Sequence, residues 1–288
     1  MRLVSFEFHG EQRLGALKNL SVIDLGRAHK LFAAESARTH GNEPGHFPQR
    51  MIDFLEIGED IRNYALSLMD RVHVLLPRRS NELQQQKVLL NTTDLRILPP
   101  VPVPRKIICL GVNYRDHAEE AHVPIPERPI IFSKPSTAIV GPEDPVIYPK
   151  TSTQVDYEIE LAAVIGKRGK NASESDAFDH IAGYTVLNDV SARDIQFADR
   201  QWFRGKGFDT FAPTGPCLVL REQLSDPHNL KMELRVNGEV RQRSTTANMI
   251  FKIPQLVTSI SSVMTLQPGD IIATGTPAGV GFYAKPEK

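Results

Sequence analysis

One stretch, DYEIELAAVIG at residues 156–166, constrains the fold of this chain more than any other. Charged and apolar residues alternate in its first half and branched aliphatic residues follow, a pattern that predicts a β-strand. Because residues two apart in a strand share a face, Asp156, Glu158 and Glu160 should project to one side. Carboxylates that share a face repel one another and are costly to bury.

Two arrangements would relieve that repulsion. A divalent cation that prefers oxygen ligands, such as Mg²⁺, Mn²⁺ or Ca²⁺, would neutralise the carboxylates. Alternatively, the strand lies at a solvated edge of its sheet. The downstream sequence favours the cation, because Asp189 follows a second apolar stretch, residues 180–187, and would offer a third carboxylate where a predicted strand ends.

Composition and charge narrow the class of protein. The 288 residues include 34 Lys and Arg against 34 Asp and Glu, so the formal net charge is zero. Without a basic stripe, the chain is not expected to bind nucleic acid or a membrane surface. It has no apolar run long enough to span a membrane and no recognisable signal peptide, which predicts a cytoplasmic protein. Cys109 and Cys217 lie in apolar segments and predict buried thiols rather than a disulfide.

A proline-rich stretch, PPVPVP, predicts where the chain divides, because closely spaced prolines form a stiff extended connector. Residues 1–98 then form a small α+β module, residues 99–105 a linker, and residues 106–288 the catalytic domain. The first module should contain a hairpin, a strand at residues 21–25, and a helical pattern at residues 51–69 that a glycine interrupts. It contains no catalytic constellation, so its predicted role is structural.

A histidine and a carboxylate follow the first predicted strand of the second module. Asn113 stands where a helix N-cap is expected, and in the next helix His117 and Glu120 lie three residues apart on one face. A histidine oriented by a carboxylate is the usual construction of a general base, although a solvated surface pair has the same spacing. Lys134 follows in a proline-rich segment that predicts a rigid loop, either beside a site or simply at the surface.

The segment after the third carboxylate supplies further polar groups. Ser191 fits a helix N-cap, which predicts a helix through Trp202 with Arg193 and Gln196 on one face. The planar guanidinium of Arg193 suits a substrate carboxylate. Lys206 stands between two glycines, in a predicted flexible loop.

A Gly-rich sequence, TGTPAGVG at residues 274–281, follows a short predicted strand. It lacks the spacing of the phosphate-binding loops. We interpret it as a tight turn that lets backbone groups and threonine hydroxyls approach a small ligand.

Six segments of the second module, taken in order, resemble the fumarylacetoacetate hydrolase family. They are GVNYRDHAEE, FSKPSTAIVGP, DYEIELAAVIG, GYTVLNDVSARDIQ, GKGFDT and GDIIATGTPAGVG. The resemblance implies an α+β, mostly β fold, a rolled β-sandwich with short helices, and a homodimer. It also implies that Mg²⁺ or Mn²⁺ is held by three carboxylates, those of Glu158, Glu160 and Asp189.

The same resemblance assigns the other site residues. His117 and Glu120 are the implied catalytic dyad. Lys206 is an implied substrate contact, and we count it as a catalytic group because it would hold the enolate. The other implied substrate contacts are Arg193, Gln196, Thr276 and Lys134. Asp156 is not a ligand in the family pattern, and we interpret it as a structural group beside the ligands.

The leading hypothesis is hydrolysis of a C–C bond in an acylpyruvate or related 2,4-diketo acid. A cation would chelate the 2-oxo acid and stabilise an enolate, while His117, oriented by Glu120, deprotonates a water molecule. Lys206 would help to hold the leaving pyruvate enolate. Decarboxylation of oxaloacetate, or isomerisation or tautomerisation of a 2-oxo diacid, would use the same site. A non-catalytic binding protein is the remaining alternative, and the complete set of site residues argues against it.

Members of the resembled family usually continue past the Gly-rich sequence with two more strands. This sequence ends at Lys288. We therefore expect either a sheet that ends early or a chain that continues further, with the six segments unaffected.

Overall fold

The structure is a computed structural model that describes residues 1–40 and 45–284, and for residues 34–40 the backbone alone. Within those ranges the chain forms sixteen β-strands and seven α-helices. The strands are β1 (Arg2–Phe8), β2 (Glu11–Lys18), β3 (Ser21–Asp24), β4 (Leu89–Asn91), β5 (Arg96–Ile97), β6 (Ile107–Gly111), β7 (Ile130–Lys134), β8 (Ile139–Val140), β9 (Val155–Asp156), β10 (Ile159–Ile165), β11 (Ile181–Asn188), β12 (Ser191–Ala192), β13 (Ala212–Leu220), β14 (Lys231–Val236), β15 (Glu239–Thr245) and β16 (Ile271–Ala273). The helices are α1 (Leu25–His40), α2 (Met51–Ile57), α3 (Glu59–Gln85), α4 (Arg115–Glu120), α5 (Arg193–Asp199), α6 (Phe203–Lys206) and α7 (Ile253–Val263).

Twelve of these strands form one mixed sheet. Its order is β4-β3-β2-β1-β13-β11-β10-β16-β6-β7, with β5 paired to β1 and β8 to β13. Within it, β16 pairs with β6 and β13 with β8 in parallel, and the other pairs are antiparallel. The pairs β9–β12 and β14–β15 stand apart from it. The chain is therefore α+β and dominated by its sheet, which confirms the predicted fold class.

The elements predicted for the first module are present. The hairpin is β1–β2, and the next strand ends at Asp24 because Leu25 begins α1. Gly58 interrupts the predicted helical pattern and separates α2 from α3. Its φ of +87° is a conformation that residues with a Cβ rarely adopt. Helix α3 continues past the predicted end to Gln85, with a kink at Arg79 two residues after Pro77, and Leu83 is buried beyond the kink.

The sheet and the main core run across the predicted division of the chain. Strand β1 pairs with β13, where Leu3 lies opposite Leu218. Both side chains belong to one apolar core that also contains Phe54 from α2. The proline-rich connector is packed against the sheet, and the Ser5 hydroxyl donates to the Pro100 carbonyl at 2.8 Å. The two sequence modules thus share one core, and the boundary at residues 99–105 stays a prediction.

Phe54 tests whether the two parts unfold together. Phe54→Ala should lower the free energy of unfolding by about 3–5 kcal/mol, because deleting a fully buried ring leaves a cavity. Leu20→Ala, at a side chain 80% exposed, is the control and should change it by less than about 0.5 kcal/mol. Denaturant unfolding, followed by circular dichroism and by the fluorescence of Trp202, is the measurement. A shift seen by one probe alone would contradict a common core.

Two composition-based expectations can be compared with the structure. Cys109 and Cys217 are free and buried, as predicted. Among the described residues, no helix has both the length and the apolar character that a membrane span requires.

Candidate metal and catalytic site

Three carboxylates meet where β10 begins and β11 ends. The acidic stretch forms two strands rather than the single strand predicted, with a break at Tyr157 and Glu158. Antiparallel pairing of β10 with β11 places Asp189 beside Glu158, whose carbonyl accepts a hydrogen bond from the Asp189 N–H at 2.8 Å. One oxygen each from Glu158, Glu160 and Asp189 lies within 4.8 Å of the other two. All three side chains are buried, so the solvated-edge alternative is wrong.

Cationic side chains contact these carboxylates. Lys206 Nζ donates to Asp189 Oδ2 at 2.7 Å and to Glu158 Oε2 at 2.9 Å. Arg193 Nη1 lies 2.6 Å from Glu158 Oε1, and Arg193 Nη2 lies 2.8 Å from Asp156 Oδ2. Asp156 therefore orients the arginine instead of joining the three converging carboxylates, in line with its interpretation as a structural group.

Burial and charge act on the two glutamates in different ways. Burial raises the pKa of Glu160, and the negative charges of Asp189 and Glu158 raise it further. Burial also disfavours the charged form of Glu158, but the positive charges of Lys206 and Arg193 outweigh it and lower the pKa of that group. Burial disfavours the charged form of Lys206 as well, and the adjacent carboxylates nevertheless raise its pKa. Lys206 is therefore a fixed cation beside Glu158.

His117 and Glu120 lie on α4, on one face as predicted. His117 Nδ1 and Glu120 Oε2 are 3.5 Å apart, and this nitrogen has no hydrogen bond within the described structure. The Gly279 N–H holds Glu120 from the other side, donating to its two oxygens at 2.9 and 3.1 Å. Gly279 has a φ of +101°, and a Cβ there would lie 2.3 Å from the Arg241 carbonyl oxygen. Only a glycine therefore fits where the loop reaches Glu120.

The Gly-rich loop after β16 also binds two other carboxylates through its backbone. The Gly275 N–H donates to Glu160 Oε2 at 2.9 Å. The N–H groups of Gly281 and Phe282 donate to the two oxygens of Asp156 at 2.8 and 3.1 Å. The loop thus fixes acidic side chains of the site from one side, a role that its sequence did not predict.

A cavity of about 130 Å³ opens between these groups. Six of the predicted site residues line it: His117, Glu158, Arg193, Gln196, Lys206 and Thr276. Apolar side chains, among them Leu110, Phe132 and Trp202, form much of the remaining wall. Drug-sized ligands occupy pockets of roughly 300–1,000 Å³, so this cavity suits an acid of a few carbon atoms.

Two of the lining residues are already held by partners. Gln196 Oε1 accepts a hydrogen bond from Arg193 Nη1 at 3.1 Å. The Thr276 hydroxyl donates to the Ile159 carbonyl at 3.0 Å. Both side chains are therefore fixed in the cavity wall, and their contact with substrate stays a prediction.

Lys134 is not in a loop, contrary to the prediction. It is the last residue of β7, its side chain is buried, and it is not among the residues that line the cavity. Its Nζ donates to Asp189 Oδ1 at 2.5 Å and to the Val190 carbonyl at 3.0 Å. The prolines that suggested a loop, Pro129 and Pro135, flank the strand, where the missing N–H is tolerated.

The helix predicted to begin at Ser191 begins later and ends earlier. Ser191 belongs to β12, where its hydroxyl donates to the Asp189 carbonyl and accepts from Lys206 Nζ. Arg200, with a left-handed φ of +57°, ends α5 before the separate helix α6 begins. Lys206 is the last residue of α6 and is buried, so the predicted flexible loop is wrong.

Asn113 does not cap α4, because Tyr114 occupies the N-cap position. The Asn113 amide donates to the Thr274 carbonyl at 2.8 Å, and its oxygen accepts from the Phe251 N–H at 2.8 Å. These bonds connect the start of α4 to the Gly-rich loop. Asn113 thus positions the segment that carries His117.

Gln242 supports the site, a role that the sequence did not predict. Its side chain is fully buried, and its oxygen accepts from the Ile159 N–H, which lies between the two glutamates, at 2.8 Å. Its amide nitrogen donates to the Thr276 hydroxyl at 2.8 Å and to the Pro277 carbonyl at 2.9 Å. Charged residues flank it in β15, so the sequence offered no sign that it is buried.

The acidic cluster fits a hard divalent cation. Its three converging donors are all carboxylate oxygens, which Mg²⁺ and Mn²⁺ prefer. Burial, and then the negative charges of Asp189 and Glu158, raise the pKa of Glu160, and a cation would offset that repulsion. Glu158, Glu160 and Asp189 are therefore the residues that could hold one.

The family model described as "Fumarylacetoacetate (FAA) hydrolase C-terminal" matches residues 106–288 of this sequence. The chain belongs to the fumarylacetoacetate hydrolase family. It is 50% identical over 241 residues to "Oxaloacetate tautomerase FAHD2A, mitochondrial" of Bos taurus, which covers 83% of this chain and 72% of the bovine protein. That name places the bovine protein in mitochondria, and the cytoplasmic location of this chain stays a prediction.

Solved structures of the family have the same fold. Maleylpyruvate hydrolase from Sphingobium sp. SYK-6, in complex with manganese(II) and pyruvate, aligns with a TM-score of 0.72 and 32% identity, over 98% of this chain and 90% of that one. The 2-hydroxyhepta-2,4-diene-1,7-dioate isomerase from Mycobacterium marinum aligns with a TM-score of 0.69 and 33% identity, over 98% and 90% of the two chains. The resemblance inferred from the six segments is confirmed.

Proposed function

We propose that this chain is a metal-dependent tautomerase that interconverts the keto and enol forms of a four-carbon 2-oxo diacid such as oxaloacetate. The observation that carries the proposal is the small cavity in which His117, Arg193 and Lys206 lie beside the acidic cluster. A divalent cation held by the acidic cluster, together with Arg193 and Lys206, would suit a dianionic acid, and the volume favours a short one. The similarity to the bovine oxaloacetate tautomerase supports the same reaction.

The cavity residues have separate tasks in this proposal. Tautomerisation moves one proton between the carbon beside the carbonyl group and the carbonyl oxygen. His117 would accept and return that proton, because it lines the cavity and Glu120 lies 3.5 Å from its Nδ1. Arg193, oriented by Asp156, would bind a substrate carboxylate with its planar guanidinium group.

Glu158, Glu160 and Asp189 would hold Mg²⁺ or Mn²⁺, which when bound supplies a Lewis acid for the negative charge that develops on the substrate. Lys206 contributes a further positive charge at the same place, since it contacts two of these carboxylates and also lines the cavity. The apolar wall beside them limits the access of water, which strengthens these electrostatic interactions.

Hydrolysis of an acylpyruvate, the leading hypothesis from the sequence, becomes the second candidate. The His117–Glu120 pair favours it, because such a pair can activate water, and one structural neighbour is a maleylpyruvate hydrolase. The size of the cavity counts against a long acyl group. Decarboxylation of oxaloacetate needs the same cation and no water nucleophile, and it remains the alternative for a four-carbon substrate. A homodimer stays a prediction in each case.

A three-way assay tests the proposal. The purified chain, with Mg²⁺ or Mn²⁺ and separately with EDTA, is mixed with enol-oxaloacetate or with acetylpyruvate. We expect metal-dependent loss of the ultraviolet absorbance of the enol while the total amount of oxaloacetate stays constant. A parallel fall in total oxaloacetate would indicate decarboxylation. Faster cleavage of acetylpyruvate than tautomerisation would instead favour the hydrolase.

A further inference from the structure

Lys134 occupies a place that its predicted role as a substrate contact does not explain. Its side chain is fully buried, and its ammonium group contacts Asp189 and the Val190 carbonyl. Lys206 contacts the other oxygen of Asp189 and lines the cavity, whereas Lys134 approaches from β7, outside the lining. The two lysines therefore differ in what they can reach.

The charges around Asp189 suggest what Lys134 does. The buried cluster holds four carboxylates against three cations, namely Asp156, Glu158, Glu160 and Asp189 with Arg193, Lys206 and Lys134. A buried carboxylate that loses its partner is strongly destabilising. Lys134 supplies the partner of Asp189 Oδ1, one of the two carboxylate oxygens that this residue can offer to a cation.

We propose that Lys134 is an internal counter-ion of the acidic cluster, which stabilises the metal-free chain and opposes the binding of a divalent cation. The proposal rests on the metal site assigned under the proposed function. An ammonium group at 2.5 Å from Asp189 repels an incoming cation and competes with it for the same carboxylate. The lysine thus allows the cluster to fold before metal arrives, at the cost of weaker metal binding.

Lys134→Met tests both halves of this statement, because methionine keeps much of the side-chain volume and removes the charge. We expect the Kd for Mg²⁺ and for Mn²⁺, measured by isothermal titration calorimetry, to fall about tenfold or more. In EDTA, the Tm of the variant should be lower than that of the wild type by about 5–10 °C, since Asp189 loses a buried partner.

Lys106→Met is the matched control. Lys106 Nζ lies 2.6 Å from Asp270, another buried aspartate, at the opposite end of β16 from the Gly-rich loop. Removing that ammonium group should also lower the Tm in EDTA, but it should leave the Kd for both metals unchanged. A lower metal Kd in Lys134→Met, with no change in Lys106→Met, therefore distinguishes a counter-ion of the metal site from a buried ion pair elsewhere in the fold.

Other outcomes would overturn the proposal. An unchanged or higher Kd for the metals in Lys134→Met contradicts it. A raised KM for the substrate without a lower metal Kd makes Lys134 a substrate contact. If Lys134→Met does not fold in EDTA, adding Asp189→Asn should restore folding, and failure to do so also overturns it. If the wild type binds neither metal, the proposed function fails. A gain of binding in Lys134→Met would then support the counter-ion, and no gain would refute it.

Discussion

Glu160→Gln should abolish metal-dependent activity and remove the stabilisation that Mg²⁺ or Mn²⁺ gives to the wild type. Glu160 is one of three converging carboxylates, and its amide replacement keeps the shape of the side chain but cannot supply a negative oxygen. Loss of a group that merely supports a metal ligand costs about 10–100-fold, so loss of the ligand itself should exceed about 100-fold. The metal-free variant should remain folded, because a buried charge under repulsion has been removed.

Thermal unfolding with metal and with EDTA measures this effect directly. An ion present at 100 times its Kd adds about 2.7 kcal/mol to the stability of the folded chain. The wild type should therefore melt at a higher temperature with metal than with EDTA, and Glu160→Gln should melt at the same temperature in both. Glu174→Gln, at an exposed position away from the cluster, is the control and should respond as the wild type does. Equal stabilisation of Glu160→Gln and wild type would refute the assignment of this ligand.

His117→Ala should reduce kcat/KM for tautomerisation by about 10²–10⁴-fold, the range typical of a general base. The imidazole lines the cavity, and Glu120, the acidic partner beside it, is itself held by the Gly279 backbone. The metal-dependent rise in Tm should be retained, because His117 is not among the converging carboxylates. His73→Ala, at an exposed position on α3, is the control.

The same variant separates the candidate reactions. Acylpyruvate hydrolysis, where it is detectable, should fall as steeply as tautomerisation, because each needs a proton acceptor in the cavity. Decarboxylation of oxaloacetate needs no such base in its C–C cleavage step and should change much less. If all three activities fall by one large factor, His117 positions the substrate instead. If tautomerisation is unaffected, the base is another residue and the proposed mechanism is wrong.

The parts of the site that could be predicted depend on short-range periodicity. The alternating pattern predicted that Glu158 and Glu160 lie on one side, and their carboxylates do converge although Glu158 stands just before β10. A spacing of three residues brought His117 and Glu120 together on α4. The position of Asp189 required only that β11 end beside the start of β10. In each case the local pattern and the tertiary structure favour the same arrangement.

The predictions that failed concern features that are set by pairing between strands far apart in the sequence. The proline-rich segment around Lys134 forms a strand because β7 pairs with β6, and Lys134 is the last residue of β7 in that pairing. Gln242 accepts a hydrogen bond from the N–H of Ile159, 83 residues away, and nothing in the sequence around Gln242 indicates that it is buried. Ser191 looked like a helix cap because its local sequence fits one, but pairing with β9 placed it in a strand.

The pairing of β1 with β13 has a consequence for any attempt to study the catalytic half by itself. A fragment limited to the family-matched residues 106–288 would expose the backbone N–H and C=O groups of β13 that β1 now satisfies at Leu218 and Val219. It would also uncover the apolar side chains on which α2 packs. Open strands with an apolar face recruit other chains, so such a fragment should aggregate. The N-terminal segment, which carries none of the proposed catalytic groups, thus covers the strand and the apolar surface of the half that does.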